Sequence, residues 1–145
     1  MATTTNAIRS DTQNQAVSAS NKLRLWSGRI LSILPALFLL IDGVMKLVKP
    51  AVVVDATVKL GYPESTIVGI GGVLVACTIL YLIPRTSVLG AILLTGYLGG
   101  AVATHVRVGA ELFPIIFALI FGVMLWGGLY LRNERLRAVV TGAGG

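Results

Sequence analysis

A chain of 145 residues that is 55% hydrophobic and 12% charged, with a mean hydropathy of +0.85, has too little polar surface to coat a water-soluble globule, since an ordinary soluble domain carries roughly 25% charged residues. The formal net charge of +6 would suit nucleic acid only if the Lys and Arg side chains were gathered on one face. They punctuate the ends of apolar runs instead, so nucleic acid is not an expected partner. The single cysteine, Cys77, excludes an internal disulfide framework and leaves the redox compartment unread.

Residues 1–25 are polar and rich in Ser, Thr, Asn, Gln and Ala, a composition that does not offset its own ordering entropy and predicts a disordered tail. No short apolar region with a small-residue cleavage site opens the chain, so the first apolar block is expected to stay as an anchor. Four apolar blocks follow, at residues 30–48, 66–83, 87–104 and 112–131. At 1.5 Å per residue each matches a hydrocarbon layer of about 30 Å. Lipid supplies no hydrogen-bond partners, so segments of this length satisfy their backbone only as helices. The expected architecture is all-α: an integral membrane four-helix bundle over residues 26–137, with residues 138–145 a flexible tail.

Between the first two blocks, residues 49–65 hold Val52, Val53, Val54, Val58 and Leu60 among Asp55 and Lys59, which predicts an interfacial helix or an extended loop on the membrane. Gly61, Tyr62 and Pro63 turn the chain back. Pro84 and Arg85 leave almost no linker between the second and third blocks, so these form a tight hairpin. A four-pass threading puts Arg9, Lys22, Arg24, Arg29, Arg85, Arg132, Arg135 and Arg137 on one side, against Lys46, Lys49, Lys59 and Arg107 on the other. The positive-inside rule then puts both termini in the cytoplasm. Trp26 and Tyr130 fit aromatic anchors at that face.

Helices in lipid associate through small residues that let backbones approach. Gly96 and Gly100, at GxxxG spacing, with Gly99 and Ala103 beside them, mark the third span as the expected centre of packing. Pro35 removes a donor within the first span and predicts a kink there.

The ionisable residues that hydropathy would exclude are the informative ones. Asp42 and Lys46 lie i,i+4 on one helix face, where burying either alone is costly, so they are expected to pair. His105, Arg107 and Glu111 arrive at the same end of the bundle. Together the five form a candidate site for a lipophile with a polar head, floored by glycines and roofed by residues 52–62. His105 suits proton exchange and is the candidate catalytic residue; Arg107 suits an anion or a carbonyl oxygen. The competing interpretation is structural: a salt bridge that fixes helix register, with His105 and Arg107 in interfacial water. One histidine and one cysteine on different helices make no metal site, and no phosphate-binding or nucleophile-elbow pattern occurs.

The stretch LYLIPRTSVLGAILLTGYLGGAVATHVR (residues 80–107), with Lys46, the Gly61-Tyr62-Pro63 turn and WGGLYLR (residues 126–132), resembles the DoxX-like family of small bacterial four-helix membrane proteins. The resemblance implies the bacterial cytoplasmic (inner) membrane. Its wider superfamily includes a subunit of a thiosulfate:quinone oxidoreductase, which implies a quinone as ligand and a redox complex as partner. It also implies an acidic residue midway along the second span, where this chain has Leu74. The expected function is an accessory or ligand-binding membrane protein; an oxidoreductase subunit or isomerase acting on a lipophile, or a purely structural subunit, are the alternatives, and oligomerisation stays open.

Overall fold

The computed structural model describes residues 2–142, all of whose regular elements are helical. Helix α1 (Ala2–Val48) is followed by a short α2 (Ala51–Lys59), a 3-10 turn (Glu64–Thr66), α3 (Ile67–Leu82), α4 (Ser87–Arg107), α5 (Leu112–Arg132) and a short α6 (Glu134–Thr141). Four of these segments are long and apolar enough to cross a membrane: residues 17–48 of α1, the 3-10 turn with α3, α4 and α5. An even number of crossings puts the two ends of the spanning region on the same side of the bundle.

The breaks fall where backbone chemistry requires them. Pro50 stops α1 from continuing, and Lys49 before it takes a positive φ of 57°. Gly61, at φ 85°, ends α2 in the left-handed region that glycine enters freely. Asn133 opens α6 by accepting a hydrogen bond from the Leu136 amide at 3.1 Å, and Gly142 closes it at φ 67°.

The polar stretch expected to be a disordered tail is instead helical from Ala2, as the first part of the 47-residue α1. Once the lipid-spanning part of a helix exists, each added residue gains a backbone bond without a new nucleation cost. No glycine or proline interrupts residues 2–27, so nothing stops that extension. At the other end, residues 134–141 of the expected tail region and its flank form α6, and residues 143–145 lie outside the described part.

In the bundle α1 packs on α3 and α5, and α4 packs on α3 and α5, so that α1 and α4 occupy opposite corners. Each helix contributes a narrow buried stripe: Gly28, Ser32, Pro35, Leu39 and Gly43 on α1; Ile67, Gly71, Leu74, Thr78 and Tyr81 on α3; Ala118, Phe121, Leu125 and Gly128 on α5. The three- and four-residue steps are those of long helices packed nearly along one another. Outward faces carry Leu34, Ile41, Val73, Ile92, Leu119 and Val123, all exposed on the protein surface, as a chain whose solvent is lipid requires.

Glycines do set the close approaches, but not those the GxxxG spacing indicates. A Cβ on Gly71 would lie 2.8 Å from the Gly43 carbonyl oxygen and 2.7 Å from Lys46 Cβ, joining α1 to α3. One on Gly28 would lie 2.8 Å from Leu131 Cβ, and one on Gly128 2.7 Å from Ser32 N, joining α1 to α5. Gly90 lies against the backbone of Leu80 and Tyr81, closing the α3–α4 hairpin. A Cβ on Gly96, Gly99 or Gly100 would meet nothing within 4 Å, and Ala103 is exposed. The packing role expected for these four residues therefore passes to Gly28, Gly43, Gly71, Gly90 and Gly128. Spacing identifies small residues along a helix, but the rotation of α4 turns this group away from its neighbours.

Candidate functional site

At the end of the bundle remote from the termini, α1, α4 and α5 diverge around a cavity of about 630 Å³, within the range of small-ligand sites. One wall, shared by α1 and α5, is aromatic. Phe38 of α1 meets Phe117 and Phe121 of α5 edge-on at centroid separations of 5.1 and 5.0 Å, and Phe113 extends the row. The i,i+4 spacing of Phe113, Phe117 and Phe121 puts the three on one face of α5. Gly96 and Gly100 form part of the α4 wall, where the missing side chains leave the space open. Helix α2 covers the cavity with Val53, Ala56, Thr57 and Leu60.

Polar groups enter this apolar space from three helices and the α2–α3 connection. Lys46 Nζ donates to both Asp42 oxygens at 2.6 Å. The Lys46 side chain is 16% exposed and that of Asp42 37%, so the pair is half sheltered, and removing one partner would leave an uncompensated charge. His105 Nδ1 lies 2.8 Å from the Ala101 carbonyl oxygen one turn back. Because a carbonyl only accepts, Nδ1 carries a proton in this contact, and in the neutral tautomer that fits it Nε2 is the acceptor nitrogen. Thr104 donates its hydroxyl to the Gly100 carbonyl at 2.9 Å and accepts from Tyr62 at 2.7 Å. Tyr97 completes the lining, and its hydroxyl has no hydrogen-bond partner among the described residues.

Of the five residues expected to form a ligand site, Asp42, Lys46 and His105 line the cavity. Arg107 stands behind its roof and donates to the Leu60 carbonyl at 3.0 Å, holding the end of α2 rather than facing the cavity. Glu111 precedes α5 on the exposed surface, outside the lining. Lys49 and Glu64 form a further ion pair at 2.7 Å that ties the end of α1 to the 3-10 turn. Leu74 is fully buried in the helix core, away from the cavity lining. Tyr62 lines the cavity as part of the expected roof, whereas Tyr97 and Thr104 are lining residues that sequence reasoning missed. The Tyr97 hydroxyl was hidden inside an apolar string, although a tyrosine in mid-span is itself a signal, since its hydroxyl seeks a polar partner.

A second concavity, about 700 Å³, runs along α4 and α5 to Leu136 and Val140 of α6. Its lining is apolar apart from Thr95 and the aromatic Trp126 and Tyr130, and the Thr95 hydroxyl accepts from Trp126 Nε1 at 2.8 Å. Of its polar groups, only the Tyr130 hydroxyl has no hydrogen-bond partner among the described residues. Among the described residues no three of His, Cys, Asp and Glu gather as metal ligands.

No curated protein and no solved structure matches the chain. The DoxX-like family matches residues 30–128, from the apolar part of α1 to near the end of α5 and so across most of the four-span bundle and the cavity. With that match covering more than half of its length, the chain is a membrane-spanning member of the DoxX-like family.

Proposed function

We propose that this protein binds a small uncharged lipophile, a quinone-type molecule being the leading candidate, in the cavity between α1, α4 and α5, and serves as an accessory protein in the bacterial inner membrane. The observation that carries the reading is the gathering of Asp42–Lys46, Tyr97, His105 and the Tyr62–Thr104 pair around one aromatic-walled space. Polar side chains at membrane depth are costly and ordinarily face a functional interior. A cavity that is mostly apolar with a few convergent polar groups is the usual form of a small-molecule site. The charge asymmetry of eight basic residues against four supports an orientation with both termini in the cytoplasm and the cavity toward the opposite leaflet.

Titration of purified protein in detergent with a series of quinones of increasing tail length tests this. Gly100→Leu is the decisive variant, because open space around Gly100 lets the backbone accept a side chain that then occupies the cavity. It is expected to weaken binding about tenfold or more while the helices stay intact. His105→Ala is expected to weaken it about fivefold, and Arg107→Ala by about twofold or less, since Arg107 acts only on the roof. Undiminished binding to the Gly100→Leu variant would place the ligand elsewhere. Co-purification with a redox enzyme in mild detergent tests the accessory role.

A second reading, catalysis on a membrane-dissolved substrate, is favoured by one observation: His105 lines the cavity and keeps a free ring nitrogen. A general acid or base needs that proton-exchanging group within reach of substrate. Turnover lost in His105→Gln with binding retained would support it.

A further inference from the structure

Resting on the reading of this cavity as a lipophile site, we infer that it selects molecules whose polar head bears a hydroxyl over molecules whose head bears carbonyl oxygens alone. The inference follows from counting which protons around the cavity are already spent. Thr104 has one hydroxyl proton, given to the Gly100 carbonyl. Tyr62 gives its proton to Thr104 and keeps an oxygen that can only accept. Thr57 donates to the Val53 carbonyl at 2.7 Å. His105 spends its ring proton on Ala101 and presents Nε2 as a lone pair. Two of the three Lys46 protons are held by Asp42, whose carboxylate is itself an acceptor.

The unspent groups are therefore unequal in kind. His105 Nε2, the Tyr62 oxygen and the Asp42 carboxylate accept, whereas the free donors are the Tyr97 hydroxyl and the last Lys46 proton. A carbonyl oxygen satisfies only the donors and makes no hydrogen bond with Nε2. A hydroxyl donates to an acceptor and receives from Tyr97 at the same time. An acceptor that a bound head closes off from other partners and leaves without a donor costs more than an extra hydrogen bond gains, so the difference favours the hydroxylated head by about tenfold in affinity.

The test uses the full-length protein in detergent, without oxygen. Three probes share one skeleton: decylhydroquinone, decylbenzoquinone and the dimethyl ether of decylhydroquinone. The hydroquinone is expected to bind about tenfold more tightly than the other two. His105→Phe keeps a ring in place but removes one of the three acceptors, and is expected to lower that ratio by weakening the hydroquinone. Tyr97→Phe removes a donor, and is expected to weaken the benzoquinone about fivefold while the preference for hydroquinone persists. Equal affinities for all three probes would overturn the selectivity and leave the lipophile site standing. A ratio unchanged in the His105→Phe variant would likewise overturn it. Absence of binding by every probe would remove the site itself, and the selectivity with it.

Discussion

The two ends of the bundle use polar side chains in opposite ways. At the end that holds the termini, Tyr81 donates to the Leu125 carbonyl at 2.8 Å across the core, and Arg132 donates to the Tyr81 carbonyl at 3.0 Å while its guanidinium lies 4.9 Å from the Tyr81 ring centroid. Tyr81, Ser32 and Leu129 there are fully buried, and glycines bring the backbones together. At the other end the polar side chains that α1 and α4 turn toward the cavity bond to their own helix, as in Asp42–Lys46, Thr104–Gly100 and His105–Ala101, and surround open space, while the crossing bonds there tie down the α2 region. Bonds that cross between helices hold a bundle together, whereas bonds within one helix leave the facing side free for something else.

Substitutions that respect or violate this contrast should rank accordingly. The largest effect is expected from Gly90→Leu, which forces a side chain into the α3 backbone at Leu80 and Tyr81; overpacking of this kind costs about 3 kcal/mol or more, measured as loss of helical signal in mixed-micelle unfolding. Gly71→Ala, which meets the Gly43 carbonyl, is expected to cost about 2 kcal/mol in the same assay. Tyr81→Phe removes a bond between helices and is expected to cost about 1 kcal/mol. The smallest is Gly100→Ala, placed in open space, where the gain in helix propensity offsets any loss and the stability is expected to stay within about 0.5 kcal/mol of the parent or rise. A Gly100→Ala variant as unstable as Gly71→Ala would break the contrast, because α4 would then be packed through the glycines that the structure leaves exposed.

The four spans were legible because solvent dictates them: residues 30–48, 66–83, 87–104 and 112–131 agree closely with the apolar part of α1 and with α3, α4 and α5. Helix α2 was legible only as one of two options, since nine residues with scattered valines carry too weak a period to separate helix from loop. The Asp42–Lys46 pair followed from its spacing alone. Other features depend on the rotation of one helix against another, which no single stretch encodes. Gly96 and Gly100 have the spacing of a packing motif but turn toward the cavity, and Gly28 meets Gly128 across a hundred residues of chain that give no local sign of it. Arg107 lies close to His105 in sequence, yet a carbonyl on α2's C-cap residue, Leu60, draws it away from the cavity. The helical course of residues 2–25 was missed because composition reports what a segment does alone, not what it does as the extension of an anchored helix.

Neutralisation of Asp42 by Lys46 has an electrical consequence. A wall that carries both signs side by side presents no net charge to attract an ion, and an uncharged molecule, which would suit such a wall, moves no charge through the transmembrane field on passing from the bilayer into the cavity. Work against that field is about 2.3 kcal/mol per elementary charge at 100 mV, and here it vanishes. Occupancy should then follow the concentration of the molecule in the bilayer and stay the same whether the membrane is energised or not.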